Sequence, residues 1–277
     1  MWFQKSRVRA PSIAHFNNIQ FWGFLTSIEA LILGIVQGIT EFFPVSSSAH
    51  LKLVKKILSI PDGEHLLYFD LLCHLGTLCA LLIFLRKEIY KHFTLRDVGL
   101  FTLALCPLVP VYFLLKPVRI ALSDPSYLGF FLIVTSLLLF KAAKSPQKPP
   151  GKKWKNVLWI GCAQTAALIP GISRSGSTIA TAKFCGWSFL DGAKFSFLLS
   201  IPTIIGGEIL ETAKLLKGNA TIGTEVPMLS YLVGFLSSFL VGCISVRAVF
   251  WIYQKEIIRP FGWYCLSVGL LALALHA

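Results

Sequence analysis

Six apolar windows, at residues 66–85, 98–115, 126–143, 190–210, 227–250 and 260–276, are each long enough to carry a helix through a bilayer. A spanning helix needs about 17–25 residues. In hydrocarbon the backbone must satisfy its own hydrogen bonds, which points such windows to α-helix. Two further apolar stretches, 27–43 and 156–170, are shorter, and each is ended by a proline, Pro44 and Pro170. The expected fold is all-α: a polytopic integral membrane protein with about six transmembrane helices plus two re-entrant helical hairpins. The composition agrees, with 55% hydrophobic and only 14% charged residues and a mean hydropathy of +0.70.

The net charge of +13 does not indicate nucleic acid. The cations cluster between spans, where the positive-inside bias places them, and no aromatic-rich polar domain is available to hold a nucleic-acid site. The loop 86–97 carries Arg86, Lys87, Lys91 and Arg96, and the loop 141–155 carries six lysines. Two spans separate these loops, so both are expected on the cytoplasmic side. All seven cysteines lie in or beside apolar segments and none forms a C-x-x-C pair, which suits small buried hydrophobes rather than metal or disulfide chemistry. Residues 1–25 contain Lys5, Arg7 and Arg9 but no continuous apolar core before Phe21. They read as an N-terminal extension, not a signal peptide.

The two proline-broken stretches resemble each other. The first reads G-I-V-Q-G-I-T-E-F-F-P-V-S-S-S-A-H from Gly34 to His50; the second reads G-C-A-Q-T-A-A-L-I-P-G-I-S-R-S-G-S-T from Gly161 to Thr178. At an offset of 126 residues Pro44 maps to Pro170, Ser47 to Ser173, Phe69 to Phe195 and Thr77 to Thr203. Two repeats follow, at about 26–143 and 156–277, joined by the basic loop 141–155 within one membrane domain. Each repeat holds one hairpin and three spans. Three is odd, so the second repeat is expected upside down relative to the first, an inverted-topology architecture whose broken helices mark a binding site. The first hairpin would enter from outside and the second from the cytoplasm, with their tips meeting. This places Lys52, Lys55 and Lys56 on a basic outer rim, against the usual bias. The competing topology has 21–40 spanning fully, with the N-terminus inside.

After each proline the chain reads as a helix start rich in hydroxyl residues. Helix N-termini bind anions, phosphate among them. Two converging starts, with Ser46 and Ser48 on one and Ser173, Ser175, Gly176, Ser177 and Thr178 on the other, would cradle a phosphate or pyrophosphate. Arg174 adds a planar fork matched to phosphate oxygens. Gly171 and Gly176 allow close backbone approach. Ser47 and His50 are three residues apart, share a helix face, and form a nucleophile–base pattern. Glu41 could orient His50, act as acid or base, or bind a divalent cation. Plainer readings compete: serine-rich starts as simple caps, the Ser–His pair as interhelical hydrogen bonding, Arg174 as structural. The grouping of Glu41, Ser47 and His50 on one break, and of Arg174 with four hydroxyls on the other, favours function. Glu29 after Thr26 and Asp191 after Ser188 read as capping residues. Asp70 and His74, one turn apart, read as a structural pair, with a role near the site as the alternative, and Glu208 reads as interfacial.

The motifs G-I-V-Q-G-I-T-E-F-F-P-V-S-S-S-A-H-L and P-G-I-S-R-S-G-S-T-I resemble the two signatures of bacterial undecaprenyl-diphosphate phosphatases of the BacA type. The resemblance covers nearly the whole chain beyond residue 25. It implies hydrolysis of undecaprenyl diphosphate to the monophosphate and phosphate, which recycles the lipid carrier for cell-wall polymers, and bacitracin resistance. It implies Glu41, Ser47, His50 and Arg174 as catalytic residues, with the hydroxyls from Ser173 to Thr178 completing the phosphate site. It also implies a divalent cation, Mg2+ or Ca2+, and a multi-pass protein of the bacterial inner membrane whose site faces the periplasm. The partners expected are the prenyl diphosphate and membrane lipids, with a homo-oligomer allowed and no nucleic acid. Some members carry glutamate where this chain has Gln37, so Glu41 is the one acidic candidate ligand here and Gln37 a hydrogen-bonding group. Two mechanisms stay open: attack by Ser47 with His50 as base, or water activated by His50. A transporter or flippase for a phosphorylated prenyl lipid is the alternative from another class.

Overall fold

A computed structural model describes residues 25–60, 66–91, 94–147, 153–217 and 226–275. Most of the N-terminal extension and the middle of the basic connector lie outside the described residues, and so does any test of what was expected of them.

The first broken stretch forms α1 (Ser27–Thr40), a tight turn, and α2 (Ser47–Ile57). Thr26 and Glu29 start α1 as the spacing predicts: the Glu29 N–H donates to the Thr26 hydroxyl at 3.2 Å, and the Thr26 N–H donates to the Glu29 carboxylate at 2.8 Å. The helix stops at Glu41 because Pro44 cannot continue the ladder and disfavours helical backbone in the residue before it. Next come α3 (Leu67–Lys91), α4 (Leu95–Leu105), α5 (Leu108–Leu114), α6 (Lys116–Ala121) and α7 (Leu128–Lys144), the last entered through a short 3-10 turn at Pro125–Tyr127. The second broken stretch forms α8 (Lys153–Ala166), a turn around Pro170, and α9 (Arg174–Phe184). The chain closes with α10 (Phe189–Lys217), α11 (Met228–Gln254) and α12 (Arg259–Ala274). Ser188 and Asp191 start α10 as expected, the Ser188 hydroxyl donating to the Asp191 carboxylate at 2.7 Å.

The all-α membrane class holds. Among the described residues, five helical segments are long and apolar enough to cross a bilayer: Leu67–Lys91, Leu95–Leu114, Pro125–Lys144, Phe189–Ala213 and Met228–Gln254. The sixth expected span is α12, only 16 residues long. At 1.5 Å per residue it reaches about 24 Å, short of a hydrocarbon core of about 30 Å. The window at 98–115, expected as one helix, is interrupted at Cys106 and Pro107, because proline removes a helical donor and clashes with the preceding turn.

Small residues let the helices approach. A Cβ on Gly34 of α1 would strike Ser237 and the Gly234 carbonyl of α11, and one on Gly161 of α8 would strike the Ala104 backbone of α4. Helix association in lipid depends on such close packing. Each hairpin is thus held by a helix from the other half of the chain. α3 also packs on α11, and α7 on α12, which interleaves the halves. Behind the first turn lies a core of Phe42, Phe197, Phe250, Leu81 and Tyr253. The Phe42 and Phe197 rings meet edge-on at 5.8 Å, seating the residue next to Glu41 in rigid packing.

Candidate active site

The two hairpin tips touch. Arg174, the first residue of α9, places Nη2 at 2.6 Å from Glu41 Oε1. The Ser175 hydroxyl donates to the Phe43 carbonyl at 3.1 Å. Between the tips and the inner faces of α3 and α10 lies a cavity of about 410 Å³. Glu41, Ser46, Ser47 and Ser48 line it from the first hairpin, and Ser173, Arg174 and Ser175 from the second. Seven of the twelve residues expected at the site therefore face one space.

Glu41 is the hub, and it is 7% exposed. Besides Arg174 on Oε1, its Oε2 accepts from the Ser47 hydroxyl at 2.8 Å and from Gln37 Nε2 at 3.1 Å. Gln37 is fully buried behind the site rather than in it, and its Oε1 has no hydrogen-bond partner. Arg174 keeps one amino group, Nη1, without a partner. The guanidinium thus spends one donor on Glu41 and holds another unspent beside the cavity, as a phosphate-binding arginine would.

The expected pairing of Ser47 with His50 does not occur. His50 Nδ1–H donates to the Ser46 carbonyl at 2.8 Å, and Nε2 accepts from the Tyr264 hydroxyl of α12 at 2.9 Å. The two rings are stacked, with centroids 5.5 Å apart. Both imidazole nitrogens are therefore occupied away from Ser47, and His50 does not line the cavity. Sharing a helix face made the contact possible, but side chains lean toward the N-terminus of their own helix, and the carbonyl of Ser46 lies there. Ser46 itself has φ 71°, a left-handed conformation costly for a non-glycine residue. The His50 bond to its carbonyl helps hold that turn, which aims Ser47 at Glu41.

The second hairpin is finished differently. The Ser173 hydroxyl accepts from the Gly176 N–H at 3.1 Å, so both groups serve as a helix cap. Thr178 donates to the Arg174 carbonyl at 2.8 Å and lies 2.6 Å from the Ser196 hydroxyl. Gly176, Ser177 and Thr178 are buried in packing and do not line the cavity. By contrast α2 has no side-chain cap, so no serine takes up its first-turn N–H groups, and these suit an anion.

The structure adds residues that sequence reasoning left outside the expected site. Asp70 and His74 of α3, and Thr203, Glu208 and Glu211 of α10, complete the cavity wall. Asp70 and His74 are not a carboxylate–imidazole pair. The Asp70 carboxylate takes Lys55 at 2.7 Å, while His74 Nδ1–H donates to the Asp70 backbone carbonyl at 2.8 Å. Lys55, expected on a basic outer rim, is 2% exposed and tied inward by that pair. Lys52 donates to the Ser123 carbonyl at 3.0 Å. Glu208 faces the cavity rather than the interface. A signal for the α10 residues existed: Thr203 matches Thr77 in the repeat, and 203, 207, 208 and 211 recur at helical spacing. Tyr264 carried no signal.

Glu41 does not fit as anchor of a resident cation, because both its oxygens already take donors. Among the described residues no group of three His, Cys, Asp or Glu side chains is arranged to hold a metal.

Comparison with known proteins bears on the same segments. A family model described as "Bacitracin resistance protein BacA" matches residues 30–271. A protein of Protochlamydia amoebophila named undecaprenyl-diphosphatase is 37% identical over 249 residues, covering 89% of this chain and 97% of that one. One of the same name from Carboxydothermus hydrogenoformans is 38% identical over 261 residues, covering 91% and 98%. Another from Bacteroides thetaiotaomicron is 36% identical over 259 residues, covering 89% and 97%.

Proposed function

The chain belongs to the BacA family of bacitracin resistance proteins, and from that premise we propose that it is a membrane phosphatase that hydrolyses undecaprenyl diphosphate to undecaprenyl phosphate and phosphate. Relatives with that name match it over nearly their whole length. The activity recycles the lipid carrier of cell-wall synthesis, and an increased supply of it counters bacitracin. The observation that carries the reading is the Ser47–Glu41–Arg174 constellation at the meeting of the two hairpins.

In our mechanism the Ser47 oxygen attacks the terminal phosphorus. The bond to the bridging oxygen breaks, and undecaprenyl phosphate leaves with that electron pair. The Ser47 proton passes to Glu41, which is 2.8 Å away. Arg174 Nη1 and the uncapped start of α2 stabilise charge on the equatorial oxygens, the main demand of phosphoryl transfer. Water then attacks the phosphoserine, a proton returns to the serine oxygen, and phosphate departs. Glu41 takes the role of base that the sequence pattern assigned to His50; His50 supports the turn. A divalent cation, Mg2+ or Ca2+, is proposed as a companion of the diphosphate rather than a resident of the protein. It would neutralise phosphate charge near the acidic wall of α10.

The protein is placed in the bacterial inner membrane with the cavity open to the periplasm, where spent carrier is released. Support for this side comes from the cation-rich loops on either side of α4 to α7, which the positive-inside bias assigns to the cytoplasm. The test is phosphate release from a prenyl diphosphate by the purified chain with added cation. Trapped phosphate on Ser47 would support the covalent route, whereas near-normal turnover by Ser47→Ala would remove it. No release by the unaltered chain would favour lipid transport instead.

A further inference from the structure

His74 is an ionisable side chain facing the cavity to which the reaction above gives no work. Its Nδ1–H is committed to the Asp70 carbonyl at 2.8 Å. A carbonyl can only accept, so in the neutral ring Nε2 carries the lone pair. That atom points across the cavity wall to Glu41, 4.0 Å from Oε2. Oε2 is the same oxygen that accepts the Ser47 hydroxyl at 2.8 Å. Three groups are thus in series: Ser47 Oγ, Glu41 Oε2 and His74 Nε2. His50 offers no such path, because both its nitrogens are occupied by Ser46 and Tyr264.

We propose that His74 is the acid–base partner of Glu41, receiving through that carboxylate the proton that leaves Ser47 and returning it in the second half-reaction. As the Ser47 oxygen bonds to phosphorus, its proton moves to Glu41 Oε2 and on to His74 Nε2. When water cleaves the phosphoserine, the water proton follows the same carboxylate and the serine oxygen is reprotonated from the pair, so no proton is gained or lost over the cycle. A separation of 4.0 Å is compatible with this, since catalytic hydrogen bonds commonly tighten only when substrate binds. An imidazole suits the task because it is the side chain that changes charge near neutral pH.

Titratable groups face His74 from several elements. Glu208 and Glu211 of α10 line the same cavity as His74. Asp70, on its own helix, is already neutralised by Lys55 of α2. Arg174 of α9 is held on the far oxygen of Glu41. α11 packs against α3 through Gly234, Ser238 and Gly242, none of which titrates.

The inference rests on the phosphatase reading, and the experiment separates the two. The pH dependence of phosphate release from a prenyl diphosphate is measured for the unaltered chain, His74→Asn, His74→Gln and His50→Gln, in detergent with added cation. Asparagine keeps the amide donor to the Asp70 carbonyl and removes only the proton acceptor, so it isolates Nε2. The expected result for His74→Asn is a fall in kcat of about 10- to 100-fold with KM within about threefold, the loss typical of one acid–base group. The acid limb of the rate profile should also move down by about one pH unit or more, while His50→Gln leaves that limb in place. His74→Gln gives the second reading should the asparagine variant lose its fold, which its thermal unfolding midpoint reports. A folded His74 variant with an unmoved acid limb overturns the inference alone. No release by the unaltered chain overturns the phosphatase reading and this inference with it.

Discussion

The two broken hairpins share a plan and differ in what their polar groups are free to do. In the first, Ser47 points at a carboxylate, Ser46 sits in a left-handed conformation, and α2 begins without a side-chain cap. In the second, the left-handed residue lies one place earlier relative to the proline and is a glycine, Gly171 at φ 100°, and Ser173 caps α9. Glycine adopts that conformation at little cost, whereas a serine there stores strain. The second tip is the relaxed one, with Ser173, Ser175 and Thr178 bonded; its reactive group is Arg174, whose Nη1 is kept without a partner. The first keeps the strained Ser46 and a helix start with no side-chain cap beside the cavity. In the proposed reading, the first tip supplies the reacting groups and the second the arginine that holds phosphate.

The strongest way to break this comparison is to remove the matched serines. Ser47→Ala is expected to lower kcat for phosphate release by about 10³-fold or more, the scale of losing a nucleophile. Ser173→Ala should cost only about 1 kcal/mol of stability as a lost cap, with turnover within about tenfold of normal. Equal losses from the two variants would end the division of labour.

Next in size is the contact that joins the tips. Glu41→Gln or Arg174→Gln alone leaves a largely buried charge unpaired, a cost of about 3–5 kcal/mol. The double variant should lose less than the sum, and thermal unfolding in detergent of the four forms measures the coupling. Additive losses would mean that the hairpins do not support each other.

The glycine seats are expected to behave alike where the tips do not. Gly34→Val would press on Ser237 and Gly234, and Gly161→Val on Ala104. Overpacking of this kind costs about 1–3 kcal/mol. Unfolding midpoints that fall for one variant and not the other would show that only one hairpin needs its partner helix.

The smallest effects concern the supports behind each turn. Tyr264→Phe removes the hydroxyl held by His50, and Thr135→Val removes the group that donates to the Gly171 carbonyl at 3.0 Å and accepts from the Ser173 N–H at 3.1 Å. Each bond is worth about 1 kcal/mol. If the strained turn matters more, Tyr264→Phe should lower kcat by about two- to fivefold, with Thr135→Val affecting stability alone.

Much of this was legible in the chain before folding. The helix starts at Thr26 and Ser188 were written in capping spacing, and the breaks in Pro44 and Pro170. The meeting of the tips followed from the repeat. What misled was the pair Ser47 and His50. Spacing on a helix says that two side chains can touch, not that they do, and a nearer carbonyl captured the imidazole. Lys55 misled for a related reason: the inverted topology set it on a basic outer rim, and Asp70 of the next helix drew it inward.

The sequence by itself determined the membrane class, the two broken hairpins and the identity of Glu41, Ser47 and Arg174 as groups worth placing together. These rest on local rules, such as apolar length, proline geometry and capping, that act within a few residues. The tertiary structure decided which atoms those groups meet. Glu41 and Arg174 are 133 residues apart and join at 2.6 Å only because each hairpin is held by a helix from the other half. The rotation of α3 and α10 then chooses which of their polar residues face the cavity. Helical periodicity defines a stripe of neighbours, but only packing against other helices sets the direction in which that stripe points.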